Sequence, residues 1–153
     1  MSTQSLRCYL VVRAQEWMSA LPLEGVEETM RPLPVAPVSA APPFVRGVSL
    51  VRGAPSPVVN LAALLGGGLV QPEPGQRFVS LRVPEGHLAL EVDEVVGLRW
   101  MEEGSLESVP PLLRATAGGH VQRLGSYDGR LLAVLGAARL LPEDFWERLE
   151  GTS

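Results

Sequence analysis

The sequence has no lysine, one cysteine, two histidines and few aromatic residues, and these shortages exclude several classes of protein. With Cys8 as the only cysteine, the chain cannot form an internal disulfide or a zinc site built from several thiolates. His87 and His120 have no metal-ligating neighbour at a motif spacing. No apolar run approaches the roughly 20 residues that a membrane-spanning helix needs. The sequence therefore predicts neither a metal site nor insertion into a membrane.

The charge balance indicates a globular chain that is not built for nucleic acid. Apolar residues make up 46% and charged residues 20% of the 153 residues, which favours one compact domain. The net charge is −4, whereas a nucleic-acid surface requires a basic excess. Near the N-terminus, Arg7 and Arg13 stand at the two ends of a short apolar run, a pattern unlike a signal peptide. We therefore expect a cytoplasmic protein.

No combination of residues predicts catalysis. Cys8 alternates within a predicted strand and is best interpreted as a small buried apolar residue. The three glycines at 66–68 end a helical turn and are not followed by Lys-Ser/Thr, so they do not form a phosphate loop. The adjacent carboxylates Glu27-Glu28 and Asp93-Glu94 face different ways on a strand or helix. The sequence therefore predicts a protein that is not an enzyme and holds no cofactor.

The chain carries an internal duplication. Residues 45–65 align without a gap on residues 121–141, which lie 76 positions later. A second alignment, 69 positions apart, places Ala20-Leu21 on Ala89-Leu90. Two copies are too few for a solenoid. We therefore predict two similar subdomains that share one core, with a cleft between them that is suited to docking a partner.

Short strands separated by turn residues dominate the pattern. β-Branched and alternating stretches predict strands over residues 6–13, 17–21, 45–51, 57–61, 78–83, 87–92, 95–101 and a hairpin over 125–135. The hairpin is turned at Asp128-Gly129, the strongest short-range hairpin dipeptide. Many short strands with few helical residues predict small β-barrels, whose closure removes exposed strand edges.

The sequence predicts fewer helices than strands, and two connecting segments. A helix of at most two turns is predicted where apolar residues recur at helical spacing, at Leu23, Val26 and Met30. Residues 61–65 predict a further short turn, and Pro142 starts a C-terminal helix. The five prolines within residues 30–43 require an extended connection, and the polar stretch 71–76 is a linker between the two copies.

Arg52 is the strongest surface candidate that the residues alone provide. It stands beside Gly53 in a predicted tight turn, where a side chain is usually exposed. Its guanidinium offers a planar set of donors that suits a carboxylate on a partner. A solvated turn arginine is the alternative interpretation. Composition alone would place Val26 and Leu98, which occupy nearly equivalent positions in the two copies, in the core.

These residues resemble the CheW-like domain, the adaptor module of bacterial chemotaxis systems. Residues 44–53 (FVRGVSLVRG) and 57–61 (PVVNL) are similar to the family pattern of a Gly-Val-x-x-x-Arg-Gly turn followed by a Pro-Val-Val-Asp-Leu strand. Further matches are Ala20-Leu21-Pro22 with Val26 and Glu28, and the stretch 90–96. The resemblance covers nearly the whole chain, from about residue 6 to residue 141.

The resemblance implies a mainly β fold of two SH3-like five-stranded β-barrels packed together, with short helices and a C-terminal helix. A single domain over 1–153 would hold the first barrel at about 6–70, the second at about 77–141 and the helix at 142–150. The family is not enzymatic. It tethers a CheA-type histidine kinase, through the kinase's regulatory domain, to the cytoplasmic tips of methyl-accepting chemoreceptors in receptor–kinase arrays. We expect these partners, with other CheW-like domains as further candidates.

The resemblance also implies where the partners bind. The receptor groove would be lined by Val26, Glu28, Arg52 and Leu98. Apolar Val26 and Leu98 would receive the apolar stripe of a receptor helix, while the two charged residues fix its register. The kinase contact is expected on the first barrel near residues 38–44, with no single residue assigned.

Two positions depart from the family pattern. Asn60 stands where the family usually has Asp, and Gly136 stands where the second copy often has Asp. Asn caps a helix as Asp does, whereas glycine should loosen the turn. These departures keep open a second hypothesis, a module of the same fold that serves a non-chemotactic pathway and binds only one of the two partners. A small enzyme or ligand-binding barrel is the third hypothesis.

Overall fold

The computed structural model of the chain describes residues 5–69, 71–111, 120–136 and 140–150. The fold is mainly β, with one sheet of six strands and one of five, and with short helices, which confirms the predicted fold class. The C-terminal helix is also present as predicted. In the described part of the chain, no helix has both the length and the apolar character needed to cross a membrane.

Eleven strands and two α-helices follow one another along the described chain. The strands are β1 (Leu6–Ala14), β2 (Trp17–Pro22), β3 (Val26–Met30), β4 (Val45–Val51), β5 (Ala54–Asn60), β6 (Arg77–Val83), β7 (Gly86–Val92), β8 (Glu94–Glu102), β9 (Glu107–Ser108), β10 (Val121–Tyr127) and β11 (Arg130–Leu135). The helices are α1 (Leu61–Leu64) and α2 (Glu143–Glu150), and 3-10 turns cover Leu23–Gly25 and Glu103–Ser105.

The two sheets repeat one arrangement, which confirms the internal duplication. The six-stranded sheet has the order β8-β1-β2-β11-β10-β9, and the five-stranded sheet has the order β3-β6-β7-β5-β4. The predicted alignments place β1 on β6, β2 on β7, β3 on β8, β4 on β10 and β5 on β11, and each pair occupies the same place in its sheet. The parallel pairs β2–β11 and β7–β5 are equivalent as well.

The two copies exchange their first hairpin. Strands β1 and β2 lie in the sheet formed by the later strands β8 to β11, while β6 and β7 lie in the sheet formed by β3, β4 and β5. The sheets therefore do not follow the expected barrel segments 6–70 and 77–141, because the chain crosses between the sheets twice. A duplication reveals which strands are equivalent, but it carries no information about which copy each strand pairs with. Residues 70, 112–119 and 137–139 of those segments lie outside the described part of the chain.

The central strands are buried on both faces, which explains their long apolar runs. Equivalent residues Leu21 and Leu90 contribute to a core shared by both sheets. Their neighbours Ala20 and Ala89 point the opposite way, each into the interior of its own barrel. Successive side chains of a strand face opposite sides. One core therefore lies between the barrels and a smaller one fills each barrel, as expected for two subdomains that share a core.

The hairpin turns are equivalent in the two copies. Arg52-Gly53 and Asp128-Gly129 each have positive φ at both positions, at 51° and 80° and at 48° and 76°. Two consecutive positive φ values define the tight turn whose twist matches that of antiparallel strands. The turn after β4 is thus two residues long, shorter than the predicted loop 52–56. Strand β5 begins at Ala54, and Pro55 pairs only with Leu50 of β4, because the pairing with β7 starts at Val58.

The predicted helix at Leu23, Val26 and Met30 is wrong. A 3-10 turn covers only Leu23–Gly25, and Val26 starts strand β3, which pairs with β6. Pairing with β6 overrides the local helical spacing of these three apolar residues. Val26 packs against the shared core, whereas Met30 packs against the interior of the five-stranded barrel. A bulge between Val26 and Glu28 turns these two side chains to opposite faces, so Glu28 shares its face with Met30.

The proline-rich connection is extended, as predicted, and it is fastened to the five-stranded sheet. Ala36 exchanges two backbone hydrogen bonds of 2.8 Å with Val48 on β4. A Cβ on Gly47 would lie 2.2 Å from the Ala36 carbonyl oxygen, so only glycine permits this approach. At the far end of the connection, the Arg148 side chain of α2 donates to the Ala40 carbonyl. Phe145 of α2 is buried in the shared core.

Candidate functional site

Glu28 and Arg52 form a two-point ion pair that joins the edge strands of the five-stranded sheet. The Arg52 Nε donates to Glu28 Oε2 at 2.5 Å, and its Nη2 donates to Oε1 at 2.9 Å. Glu28 lies on β3, and Arg52 directly follows β4, the strand at the opposite edge of that sheet. The pair therefore connects the two edges of the sheet, and we refer to this junction as the barrel seam. The sequence prediction brought these two residues together as site residues but did not predict that they bind each other.

The pair shifts the pKa of both groups. Hydrogen bonding to Arg52 is the main cause that lowers the pKa of the Glu28 carboxyl. Burial opposes it with a smaller effect, and the positive charge of Arg52 lowers the pKa further with the smallest effect. The hydrogen bond to Glu28 likewise raises the pKa of Arg52. Both groups are thus charged at neutral pH. The Arg52 side chain is 78% exposed, and two of its donors are engaged, so a partner can approach the guanidinium from outside.

A small polar cleft of about 170 Å³ surrounds this pair. Its wall also includes Glu27, Ser80 and His87. The His87 Nδ1 lies 2.5 Å from the Glu27 carboxylate, and Arg82 reaches the same carboxylate at 3.4 Å. The cleft is therefore lined by ion pairs and suits charged side chains of a protein partner better than an apolar ligand.

Val26 and Leu98 differ in how much of each side chain is exposed to solvent. Val26 is half-buried and packs against the shared core, whereas Leu98 is 62% exposed on β8. Leu98 stands at the edge of the six-stranded sheet, opposite Leu10 of β1. Of the four predicted receptor residues, the structure joins Glu28 with Arg52 directly and places Leu98 on the other sheet. The role of these four residues in binding stays a prediction.

Residues 38–44, where the kinase contact was expected, form the end of the proline-rich connection. Val38 is exposed, while Phe44 is half-buried against the core, with its ring 5.7 Å from the ring of His120. The segment therefore has a packed side and an exposed side. Only its exposed side is available to a partner.

The two positions that depart from the family pattern have local explanations. The Asn60 Nδ2 donates to the buried Glu91 carboxylate at 2.7 Å, and the Asn60 Oδ1 caps α1 by accepting from the Ala63 N–H at 2.9 Å. An aspartate would keep the cap but would face a second carboxylate. At Gly136, a Cβ would lie 2.3 Å from the Gln122 side chain. Each substitution therefore fits its neighbours.

Trp100 is a surface feature that the sequence reasoning missed. It lies two positions after Leu98 on β8 and is 65% exposed. The signal was present in the sequence, since residues 98 and 100 alternate on one face of the predicted strand 95–101. An exposed tryptophan is unusual enough to be informative, because large apolar side chains are normally buried.

The described residues offer little for catalysis or metal binding. Within residues 5–69, 71–111, 120–136 and 140–150, no group of three or more His, Cys, Asp or Glu side chains is arranged to hold a metal ion. Cys8 is a free, buried cysteine on β1, as predicted from its alternation.

Comparisons with known proteins agree with this geometry. The family model of the CheW-like domain matches residues 8–145. Among solved structures, the crystal structure of the scaffolding protein TtCheW from Thermoanaerobacter tengcongensis has a TM-score of 0.79 and 20% sequence identity, and the match covers 89% of this chain and 92% of that chain. At this identity the likeness shows the fold alone. A search of curated proteins returns no match.

Proposed function

Because the chain belongs to the CheW-like domain family, a family of non-catalytic scaffolding proteins, we propose that it couples methyl-accepting chemoreceptors to a CheA-type histidine kinase. The prediction that the chain is not an enzyme follows from this membership. Coupling would take place in the cytoplasm, at arrays of receptors and kinases. Other CheW-like domains, including the regulatory domain of the kinase, are the expected neighbours there.

The observation that supports the receptor contact is the exposed ion pair of Glu28 and Arg52. The ion pair holds the Glu28 and Arg52 side chains in fixed positions. Two fixed charges set the register of a docking helix better than a mobile arginine would. Leu98 supplies exposed apolar surface on the neighbouring sheet, and half-buried Val26 lies two residues before Glu28 on β3. Charged and apolar contacts of this kind suit an amphipathic helix.

The kinase contact is proposed at the exposed side of residues 38–44. This segment follows the part of the connection that is fastened to β4, so its backbone is held in place. A fixed, exposed segment loses little conformational entropy on binding. No single residue in it is assigned to the contact.

The two substitutions that motivated the non-chemotactic alternative have local structural explanations. Asn60 and Gly136 both fit their neighbours, through Glu91 and Gln122 respectively. The two substitutions therefore do not indicate a damaged interface. The alternative would return if only one of the two partners bound.

A binding experiment with two baits tests the proposal. The purified protein is captured on a chemoreceptor signalling tip and, separately, on a CheA regulatory domain from the same organism. Retention by both baits supports a coupling protein. Retention by neither contradicts it, and retention by one alone favours the non-chemotactic module.

Substitutions at the ion pair separate a structural role of Arg52 from a binding role. Arg52→Glu should weaken receptor binding while kinase binding is unchanged, since Arg52 lies outside residues 38–44, where the kinase contact is proposed. The control is the exchanged pair Glu28→Arg with Arg52→Glu, which restores the internal ion pair with its charges reversed. If the exchanged pair recovers full receptor binding, Arg52 acts only on the barrel seam and the assigned contact is wrong.

A further inference from the structure

Arg148 of the C-terminal helix α2 binds the backbone at the end of the proline-rich connection. Its Nη1 donates to the Ala40 carbonyl oxygen at 3.1 Å. A guanidinium is always charged, and a charged donor makes a stronger hydrogen bond than a neutral one. Ala40 lies inside residues 38–44, where the kinase contact is proposed. The C-terminal helix is therefore connected directly to that segment.

Ala40 has a backbone conformation that alanine rarely adopts. Its φ is 58°, in the left-handed region, where the Cβ atom crowds the neighbouring backbone. Such a conformation persists only where the surrounding structure stabilises it. The hydrogen bond from Arg148 acts on the carbonyl of this same residue. It therefore favours the left-handed turn over the extended backbone that an alanine would otherwise adopt.

The connection is held on both sides of this turn. Before the turn, Ala36 is hydrogen-bonded to β4. After it, the Val45 N–H donates to the Pro42 carbonyl oxygen at 2.9 Å, and Phe44 packs against the shared core. Ala40 lies between these fixed points and is itself exposed. Its conformation therefore sets the direction in which the exposed residues of the segment project.

Arg148 is well placed to hold the turn because α2 is itself anchored. Phe145 and Trp146 of α2 are buried in the shared core. The Arg148 guanidinium lies 5.5 Å from the centre of the Phe145 ring, three positions earlier on the helix. A guanidinium that already packs on a ring loses less rotational freedom when it donates a hydrogen bond. The donor is therefore preorganised beside Ala40.

We propose that Arg148 is a positioning residue for the kinase contact, because it holds the left-handed turn at Ala40 and so presents the exposed side of residues 38–44 in one conformation. This rests on the proposed function, since the kinase contact is itself proposed on that segment. When only one conformation binds, the apparent affinity falls in proportion to the fraction of molecules that adopt it. Loss of Arg148 lowers that fraction without removing any surface that the kinase would touch.

The test is a calorimetric titration of a CheA regulatory domain against the wild-type protein and three variants. Arg148→Ala should weaken kinase binding about three- to tenfold, while binding of a receptor signalling tip is unchanged. Glu147→Ala is the matched control, since Glu147 is exposed on the same helix, and it should bind both partners as the wild type does. The double variant Ala40→Gly with Arg148→Ala should recover most of the kinase affinity, because glycine adopts positive φ without strain.

A second measurement needs no kinase. The Cα and Cβ chemical shifts of Ala40 report its backbone conformation by NMR. In Arg148→Ala these shifts should move towards the values of an extended backbone, whereas in Glu147→Ala they should stay as in the wild type. Unchanged shifts in Arg148→Ala would show that the turn does not depend on Arg148, and the inference would be overturned.

The outcomes separate this inference from the proposed function. If the wild type does not bind the regulatory domain, the proposed function fails, and the chemical shifts still test the role of Arg148 in the turn. If Arg148→Ala binds the kinase as tightly as the wild type does, the inference is wrong and the proposed function stands. If Arg148→Ala binds weakly and the double variant does not recover, Arg148 contacts the kinase itself and is not a positioning residue. An equal loss of kinase and receptor binding would indicate general unfolding and also contradict the inference.

Discussion

The Asn60 amide donates a 2.7 Å hydrogen bond to the carboxylate of Glu91, which is only 2% exposed. Arg46 reaches the same carboxylate oxygen at 2.8 Å, so this buried charge has a guanidinium and an amide as partners. Asn60 also caps α1. The family preference for aspartate at this position is therefore replaced by a residue that suits the neighbouring glutamate.

Asn60→Asp should destabilise the protein by about 3 kcal/mol, because it replaces a donor by a second buried carboxylate. Aspartate would still cap α1, so the loss of stability measures the repulsion between the two carboxylates and not the loss of a helix cap. Chemical denaturation monitored by tryptophan fluorescence measures the free energy of unfolding. The double variant Asn60→Asp with Glu91→Gln should recover most of the lost stability, since residue 91 then carries the amide that donates to the carboxylate of residue 60. If Asn60→Asp alone is neutral, the hydrogen bond has no energetic role.

Glu28 should titrate below the ordinary range of a glutamate in the folded protein, because Arg52 lowers its pKa. A group with a lowered folded pKa stabilises the native state above its unfolded pKa, and this contribution is lost as the pH falls through the folded pKa. Stability should therefore decline in acid more steeply in wild type than in Arg52→Ala. NMR titration of the Glu28 side chain gives the pKa directly. An unchanged pKa in Arg52→Ala would contradict the ion pair.

Val59→Asp should unfold the protein or cost at least about 3 kcal/mol, since Val59 is fully buried in the shared core and an aspartate there would be unpaired. Leu50→Asp is the matched control on the partner strand β4, because Leu50 is 66% exposed. Thermal unfolding should show a large fall in Tm for the first variant and little change for the second. Comparable losses in both would mean that β4 and β5 are packed differently.

Gly47→Ala should cost about 3 kcal/mol, because its methyl group would collide with the Ala36 carbonyl and release the proline-rich connection. Gly53→Ala should cost only about 1 kcal/mol. Its φ is 80°, but no atom lies within 4 Å of the added methyl group. Equilibrium unfolding of the two variants compares a steric collision with backbone strain alone. Equal losses would show that the connection is not held against β4.

The sequence by itself determined the duplication, most of the strands and the turn at Asp128-Gly129. These features can be predicted because they depend on residues that are close in sequence. Alternating apolar residues indicate strands, and Asp128-Gly129 indicates a hairpin turn. The same reasoning identified Glu28 and Arg52 as members of one site through family resemblance. It failed for β3, because Leu23, Val26 and Met30 satisfy a helical period that only pairing with β6 overrides.

Only the tertiary structure decided which copy each hairpin joins, and which side chains meet across the seam. The exchange of β1-β2 and β6-β7 between sheets depends on contacts between residues far apart in sequence. The same is true of the Glu28–Arg52 pair, the Asn60–Glu91 hydrogen bond and the exposed face that carries Trp100. A strand's pattern fixes which residues share a face, but whether that face is covered is set by the packing of the other sheet.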